Sequence, residues 1–165
     1  MGQRVGIGID AHRFITGRPL ILGGVPIPAE FGLEAHSDGD VLAHAILDAL
    51  FGAANRGDKG THFPPTDSAY KDIRSIVLVE RAVALITGRG GAVVNVDSTI
   101  ICEQPKLGEH IPHMKTVLAQ TLKCKVSAVS IKATTTERMG FTGRGEGIAA
   151  MAVVLLDIPD HFHDN

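Results

Sequence analysis

Arg4-Val5-Gly6-Ile7-Gly8-Ile9-Asp10 is the stretch from which the fold can be read. Val5, Ile7 and Ile9 fall on one side of a period-two pattern and Gly6, Gly8 and Asp10 on the other, which predicts a β-strand. Glycines repeated on one face of a strand mark a close approach to the backbone. Ala11 and His12 follow directly. Residues i and i+2 of a strand share a side, so the Asp10 carboxylate and the His12 imidazole converge.

Working outward, residues 20–27 read as a second, short extended segment broken by Gly23, Gly24 and Pro26. Ser37 opens a helix, with Asp40 three positions on as an approximate capping box. Val41, Leu42, Ala45, Ile46, Ala49 and Leu50 supply its apolar face. Residues 52–67 read as irregular, since Pro64 and Pro65 forbid regular structure. A second helix is predicted over 72–87 with Gly88 as its stop, a strand over 92–102 and a third helix over 111–122. A strand over 129–133, a glycine-rich loop over 134–146 and a last, buried strand over 147–156 complete the chain. The order β, (β), α, α, β, α, β, β gives one α+β domain over residues 1–158, with helices packed on one face of a mixed sheet. Residues 159–165 read as a frayed tail.

Composition sets the outer bounds. With 165 residues, 44% hydrophobic and 21% charged, the chain can bury one core unaided. A net charge of -2 and no run of Lys or Arg argue against nucleic acid or a membrane surface as partner. The longest uncharged apolar stretch, 147–156, is half what a membrane span needs. No signal-peptide pattern opens the chain, and Cys102 and Cys124 make no disulfide framework, so the expected location is cytoplasmic. The 19 glycines against one Tyr and no Trp suit a backbone that approaches phosphates.

Two constellations carry chemistry. His44 lies in the first turns of the helix that follows Ser37-Asp38-Gly39-Asp40. With Asp10 and His12 it offers a divalent ion one carboxylate and two imidazoles. Three protein ligands with one open position is the catalytic zinc arrangement. On spacing alone, a solvated Asp-x-His and an ordinary helix histidine are the commoner outcome. The second constellation is the loop from Thr134-Thr135-Thr136-Glu137-Arg138 to Gly147. Its hydroxyls, backbone amides and arginines suit phosphate oxygens, and Glu137 among them is out of place unless it holds a second cation such as Mg²⁺. A plain glycine-rich turn is an equal reading. His36 precedes the first helix, whose N-terminal amides and dipole would favour an anion.

Together the blocks resemble the 2-C-methyl-D-erythritol 2,4-cyclodiphosphate synthases. The residues that carry the likeness are Asp10-Ala11-His12, Ala35 to Asp40 with His44, Lys132 to Glu137, and Gly140 to Gly147, in order and spacing over nearly the whole chain. The resemblance implies a chorismate-mutase-like β-α-β-α-β-β domain assembled as a homotrimer. It implies conversion of 4-diphosphocytidyl-2-C-methyl-D-erythritol 2-phosphate to the 2,4-cyclodiphosphate with release of CMP. By the match, Asp10, His12 and His44 hold a divalent ion, usually Zn²⁺. Glu137 holds a second, Mg²⁺ or Mn²⁺, with substrate. His36 and Thr135 match transition-state stabilisers.

Substrate contacts are implied for Ser37, Asp58, Lys59, Gly60, Phe63, Pro64, Pro65, Thr66 and Asp67. A second group comprises Cys102, Glu103, Gln104, Pro105, Lys106, Leu107 and Gly108, and a third Ala133, Thr134, Thr136, Phe141 and Arg144. The resemblance also implies a central trimer cavity able to hold an isoprenoid diphosphate. Pro65 departs from relatives that carry Asp there, which removes one backbone donor. Two other readings remain at this level: a phosphohydrolase on the same scaffold, and a non-enzymatic binder of isoprenoid diphosphates.

Overall fold

The computed structural model describes residues 1–163. The first strand, β1 (Gly2–Ile15), runs on past Asp10 because its alternation continues through His12. It pairs antiparallel with β7 (Gly147–Ile158) from Gly2↔Ile158 to Arg13↔Gly147. The second extended segment is a separate hairpin, β2 (Leu20–Leu22) and β3 (Val25–Ile27). Its turn residues Gly23 and Gly24 have φ +57° and +75°, the left-handed pair that glycine adopts without penalty. A two-residue strand, β4 (Gly32–Leu33), edges β1.

β5 (Ala92–Ile101) lies antiparallel to β7, and β6 (Val129–Thr134) lies parallel to β5. The order across the mixed sheet is β4-β1-β7-β5-β6. Helices α1 (Val41–Ala53), α3 (Ser75–Thr87) and α4 (Ile111–Leu122) pack against it. Two short helices, α2 (Lys59–His62) and α5 (Gly140–Gly143), lie inside stretches that read as irregular. The β-α-β-α-β-β order implied by the resemblance therefore omits one helix. α1 and α3 follow one another with no strand between.

The glycines of β1 explain the layering. A Cβ on Gly6 or Gly8 would fall 1.9 Å from the carbonyl oxygen of Ala49 or Ala45. α1 thus lies directly on the strand backbone, and these glycines serve a helix rather than a phosphate. With the sheet on one side and α3 on the other, α1 is buried nearly all round. Its start differs from the expected one. Asp40, not Ser37, is the N-cap, accepting from the Ala43 N–H at 3.0 Å.

On the far face, Val5, Ile7 and Ile9 are 60–67% exposed, beside the exposed Met151 and Val153 of β7. The final strand is therefore buried on both faces over residues 147–150 and, from Met151 on, on its helix side only. The tail also differs from expectation: residues 160–163 form a 3-10 turn that buries Phe162 in the core, while 164 and 165 lie outside the described residues.

Candidate active site

β1 presents Asp10 and His12 on the helix face, in line with Gly6 and Gly8, and α1 brings His44 down onto them from its second turn. Asp10 Oδ2 is 2.8 Å from His12 Nε2 and 2.9 Å from His44 Nδ1, and the two ring nitrogens are 3.1 Å apart. Ligand atoms 2.0–2.1 Å from a tetrahedral ion lie about 3.3 Å from one another. The triangle fits such an ion with little adjustment. Among the described residues this is the one cluster of three or more His, Cys, Asp or Glu side chains close enough to share an ion. Burial would raise the Asp10 pKa, but hydrogen bonds and charge from His12 and His44 win and hold it well below the usual carboxylate range.

The histidine on α1 is held from behind. His44 Nε2 lies 2.8 Å from Ser75 Oγ and 3.1 Å from Ser37 Oγ. Ser75 Oγ donates in turn to Asp38 Oδ1 at 2.5 Å, and Asp38 Oδ2 accepts from the Ser75 N–H at the start of α3. With Nε2–H donating into this relay, the Nδ1 lone pair would be available to an ion that replaced the His44–Asp10 hydrogen bond. Arg18 steadies the same loop by donating to the carbonyls of Ala35 and Ser37.

Asp48 completes the floor. It lies one helical turn beyond His44 on the same face, where Lys59 Nζ donates to Asp48 Oδ2 at 2.7 Å and reaches Asp10 Oδ1 at 3.4 Å. Burial opposes the charge on Lys59, but Asp48 and Asp10 outweigh it and raise its pKa.

Sequence reasoning gave no role to Asp38, Asp48 or Ser75. The first two carry usable signals, Asp48 through its i+4 spacing from His44 and Asp38 through its place in the quoted block. Ser75 carried none, because the helix it opens was expected to begin at Asp72.

A cavity of about 380 Å³ opens over the cluster. It is lined by His12, His36, Ser37, His44, Asp58, Lys59, Gly60, Phe63 and Pro65, all expected in the site, together with Asp48 and Tyr70. Asp58 caps α2 through Thr61, which lowers its pKa. His36 Nε2 donates to the Asp67 carbonyl at 3.1 Å, which ties the two expected segments together. Pro64, Thr66 and Asp67 do not line this cavity. The expected anion site at the α1 N-terminus is absent. The buried Asp40 carboxylate fills it, accepting from Gly23, Gly24 and Ala43 N–H groups. Burial and the Asp38 charge push its pKa up to about 6.

The second constellation lies elsewhere. Cys102, Pro105, Lys106, Leu107, Gly108, Ala133, Thr134 and Thr135 line a separate cavity of about 400 Å³ at the end of β6. Glu103 accepts from the Thr136 and Arg138 N–H groups at 3.2 Å each and so shapes the turn that bears Glu137. Glu137 and Arg138 have φ +52° and +65°. Thr135 Oγ1 donates to Glu137 Oε1 at 3.3 Å. Gln104 and Arg144 line a third hollow, and Phe141 a small one beside His12.

The register relates the two sites: Ala11, Ala149, Ile101 and Thr134 form one row across β1, β7, β5 and β6. The triad and the Thr134 loop therefore share one end of the sheet, three strand spacings or about 14 Å apart. Within one chain they do not meet.

This fold, carrying at the end of its sheet an Asp-His-His triad that could hold a metal ion, defines a class of enzyme-like α+β domains. Residues 3–157 match the YgbB family, and the chain belongs to that family of 2-C-methyl-D-erythritol 2,4-cyclodiphosphate synthases. The protein of that name from Alkalilimnicola ehrlichii is 59% identical over 93% of this chain and 94% of its own. The bifunctional IspDF of Campylobacter jejuni superposes with TM-score 0.91 at 41% identity, over 96% of this chain and 43% of that one. The IspF of Plasmodium falciparum, solved as a CDP complex, superposes with TM-score 0.83 at 32% identity, over 96% of this chain and 97% of that one.

Proposed function

We propose that the protein converts 4-diphosphocytidyl-2-C-methyl-D-erythritol 2-phosphate to 2-C-methyl-D-erythritol 2,4-cyclodiphosphate and CMP, as a cyclising phosphorus-oxygen lyase of non-mevalonate isoprenoid biosynthesis in the cytoplasm. The observation that carries this reading is the convergence of Asp10, His12 and His44 in a chain of this family.

The 2-phosphate of the substrate attacks the β-phosphorus of its own diphosphate, forming one P–O bond as the bond to CMP breaks. The nucleophile is already anionic near neutral pH, so no strong base is needed. Positioning and charge neutralisation supply the rate. Asp10, His12 and His44 would hold one Zn²⁺ per subunit, which supplies charge neutralisation at the diphosphate. Glu137 would hold a second divalent ion, Mg²⁺ or Mn²⁺, that arrives with the substrate.

His36 and Thr135 touch the moving phosphoryl group. Asp58, Lys59, Gly60, Phe63 and Pro65 frame the methylerythritol part with Ser37, Pro64, Thr66 and Asp67 nearby. The cavity lined by residues 102–108 and 133–135 takes the cytidine, with Thr136, Phe141 and Arg144 at its margins. The CDP bound to the Plasmodium relative supports a nucleotide here.

Separate cavities in one chain, together with the exposed Val5, Ile7, Ile9, Met151 and Val153, support a homotrimer whose sites form between neighbours. Its central cavity would take an isoprenoid diphosphate. No helix among the described residues is long and apolar enough to cross a membrane, and the absence of a basic run leaves nucleic acid outside this reading.

Incubation with the diphosphocytidyl substrate, followed by chromatography, tests the proposal. Equimolar CMP and cyclic diphosphate support it. A linear phosphate product would instead make the protein a phosphohydrolase.

A further inference from the structure

Lys59 is placed unusually for a cation. Its ammonium lies between two carboxylates beside a cluster built to take a positive ion, 2.7 Å from Asp48 Oδ2 and 3.4 Å from Asp10 Oδ1. The grip is double, because the Lys59 backbone N–H also donates to Asp48 Oδ1 at 2.7 Å. Both oxygens of Asp48 are thus occupied. Asp10 divides its oxygens, with Oδ2 facing the two histidines and Oδ1 facing Lys59.

Without the ammonium, the donors around this point would be two carboxylates and two imidazoles. Asp48 lines the same cavity as His12 and His44 and lies one turn from His44 on α1, but it stays outside the ligand cluster. An oxygen-rich set with a bidentate carboxylate suits Mn²⁺ or Mg²⁺ in six-coordination. One monodentate carboxylate with two imidazoles suits four-coordinate Zn²⁺. Lys59 decides between these sets, since it occupies the oxygens that would turn the second into the first.

We infer that Lys59 is the metal-selectivity residue of this site: by holding Asp48 away and keeping Asp10 monodentate, it restricts the centre to three protein ligands and favours a tetrahedral ion over an octahedral one. The inference rests on the reading of Asp10, His12 and His44 as metal ligands. It goes further by giving Lys59 a role toward the ion's geometry, separate from any contact with substrate.

Cobalt provides a test that needs no turnover. Tetrahedral Co²⁺ has no centre of symmetry and absorbs strongly in the visible, whereas six-coordinate Co²⁺ absorbs weakly. Metal-free full-length protein is titrated with Co²⁺, and Mn²⁺ and Zn²⁺ affinities are measured by competition with a chelating dye. The wild type should give the intense tetrahedral bands. Lys59→Met, close in length at a half-buried position, should lose most of that intensity and raise the ratio of Mn²⁺ to Zn²⁺ affinity by about tenfold, the scale on which outer-shell partners act. Lys59→Arg, which keeps the cation, should restore the wild-type spectrum.

Lys59→Met with wild-type bands and an unchanged ratio would overturn the inference. So would an equal loss of affinity for every ion, which would mark Lys59 as a merely structural support. Should the wild type itself take up no Co²⁺, the triad reading fails and the inference falls with it.

Discussion

Gly8 and Ala45 meet backbone to backbone: a Cβ on Gly8 would fall 1.9 Å from the Ala45 carbonyl oxygen, one residue beyond His44. The strand therefore sets the height of the helix, and the helix sets the reach of the histidine. Gly8→Ala must lift α1 off β1, an overpacking cost of about 3 kcal/mol. For a domain of this size that lowers the melting temperature by roughly 10 °C. Zinc content should fall as well, because His44 rises with the helix. Gly2→Ala, which meets nothing within 4 Å, is the control and should change neither. A Gly8→Ala protein with unchanged melting and full zinc would separate the site from the glycine packing.

The relay behind His44 makes a narrower prediction. Ser75→Ala removes the acceptor 2.8 Å from Nε2 and leaves Ser37 Oγ at 3.1 Å as a partial substitute. Zinc affinity should drop by about tenfold, the lower end for outer-shell partners, with the stoichiometry at saturation unchanged. Competition with a chelating dye measures this. An unaltered affinity would mean that His44 is oriented by packing alone.

Both of these depend on contacts that the sequence disclosed unevenly. The alternation of residues 4–12 put Asp10 and His12 on the glycine face, and the structure bears out that assignment. The close approach that Gly6 and Gly8 mark is also borne out, but which element makes it, here α1, leaves no trace in the sequence. Ser37 looked like a helix cap, yet Asp40 is the cap, and its other bonds reach Gly23 and Gly24. Such a long-range contact leaves no local trace. Lys59 was expected near substrate, but its pairing with Asp48 and Asp10 was likewise hidden, because α2 sits in a stretch whose prolines and glycines suppress any helical period.

The cysteines make a prediction about pH. Burial pushes the Cys102 thiol up to about 11 and raises that of Cys124 as well. A raised acid pKa favours the neutral form, so the reactive thiolate is scarce below pH 9. For Cys102 it is roughly a hundredfold scarcer than for an ordinary thiol. Cys102 in folded protein should react slowly with a maleimide at pH 7, and the rate should climb steadily from pH 8 to 10. Unfolding should abolish the delay. Rapid labelling at neutral pH would contradict the burial argument.

Sharing of sites between subunits can be measured by mixing. Asp10→Asn and Glu137→Gln proteins, each inactive, are co-refolded in equal amounts. If one chain supplies the triad and the next supplies Glu137, random assembly leaves roughly a quarter of the sites with both halves intact. Activity should recover to about that fraction. A complete site within each chain would leave the mixture inactive.

The central claim is that the Asp10–His12–His44 centre supports cyclisation, and phosphorus resonance of the reaction mixture tests it most directly. Protein stripped by a chelator, the same protein with Zn²⁺ restored, and Asp10→Asn are each given the diphosphocytidyl substrate with Mg²⁺. The account predicts two coupled signals of a cyclic diphosphate growing with that of CMP in the restored sample, and neither in the other two. Equal conversion by the stripped protein or by Asp10→Asn, or growth of a linear phosphate signal in place of the coupled pair, would contradict it.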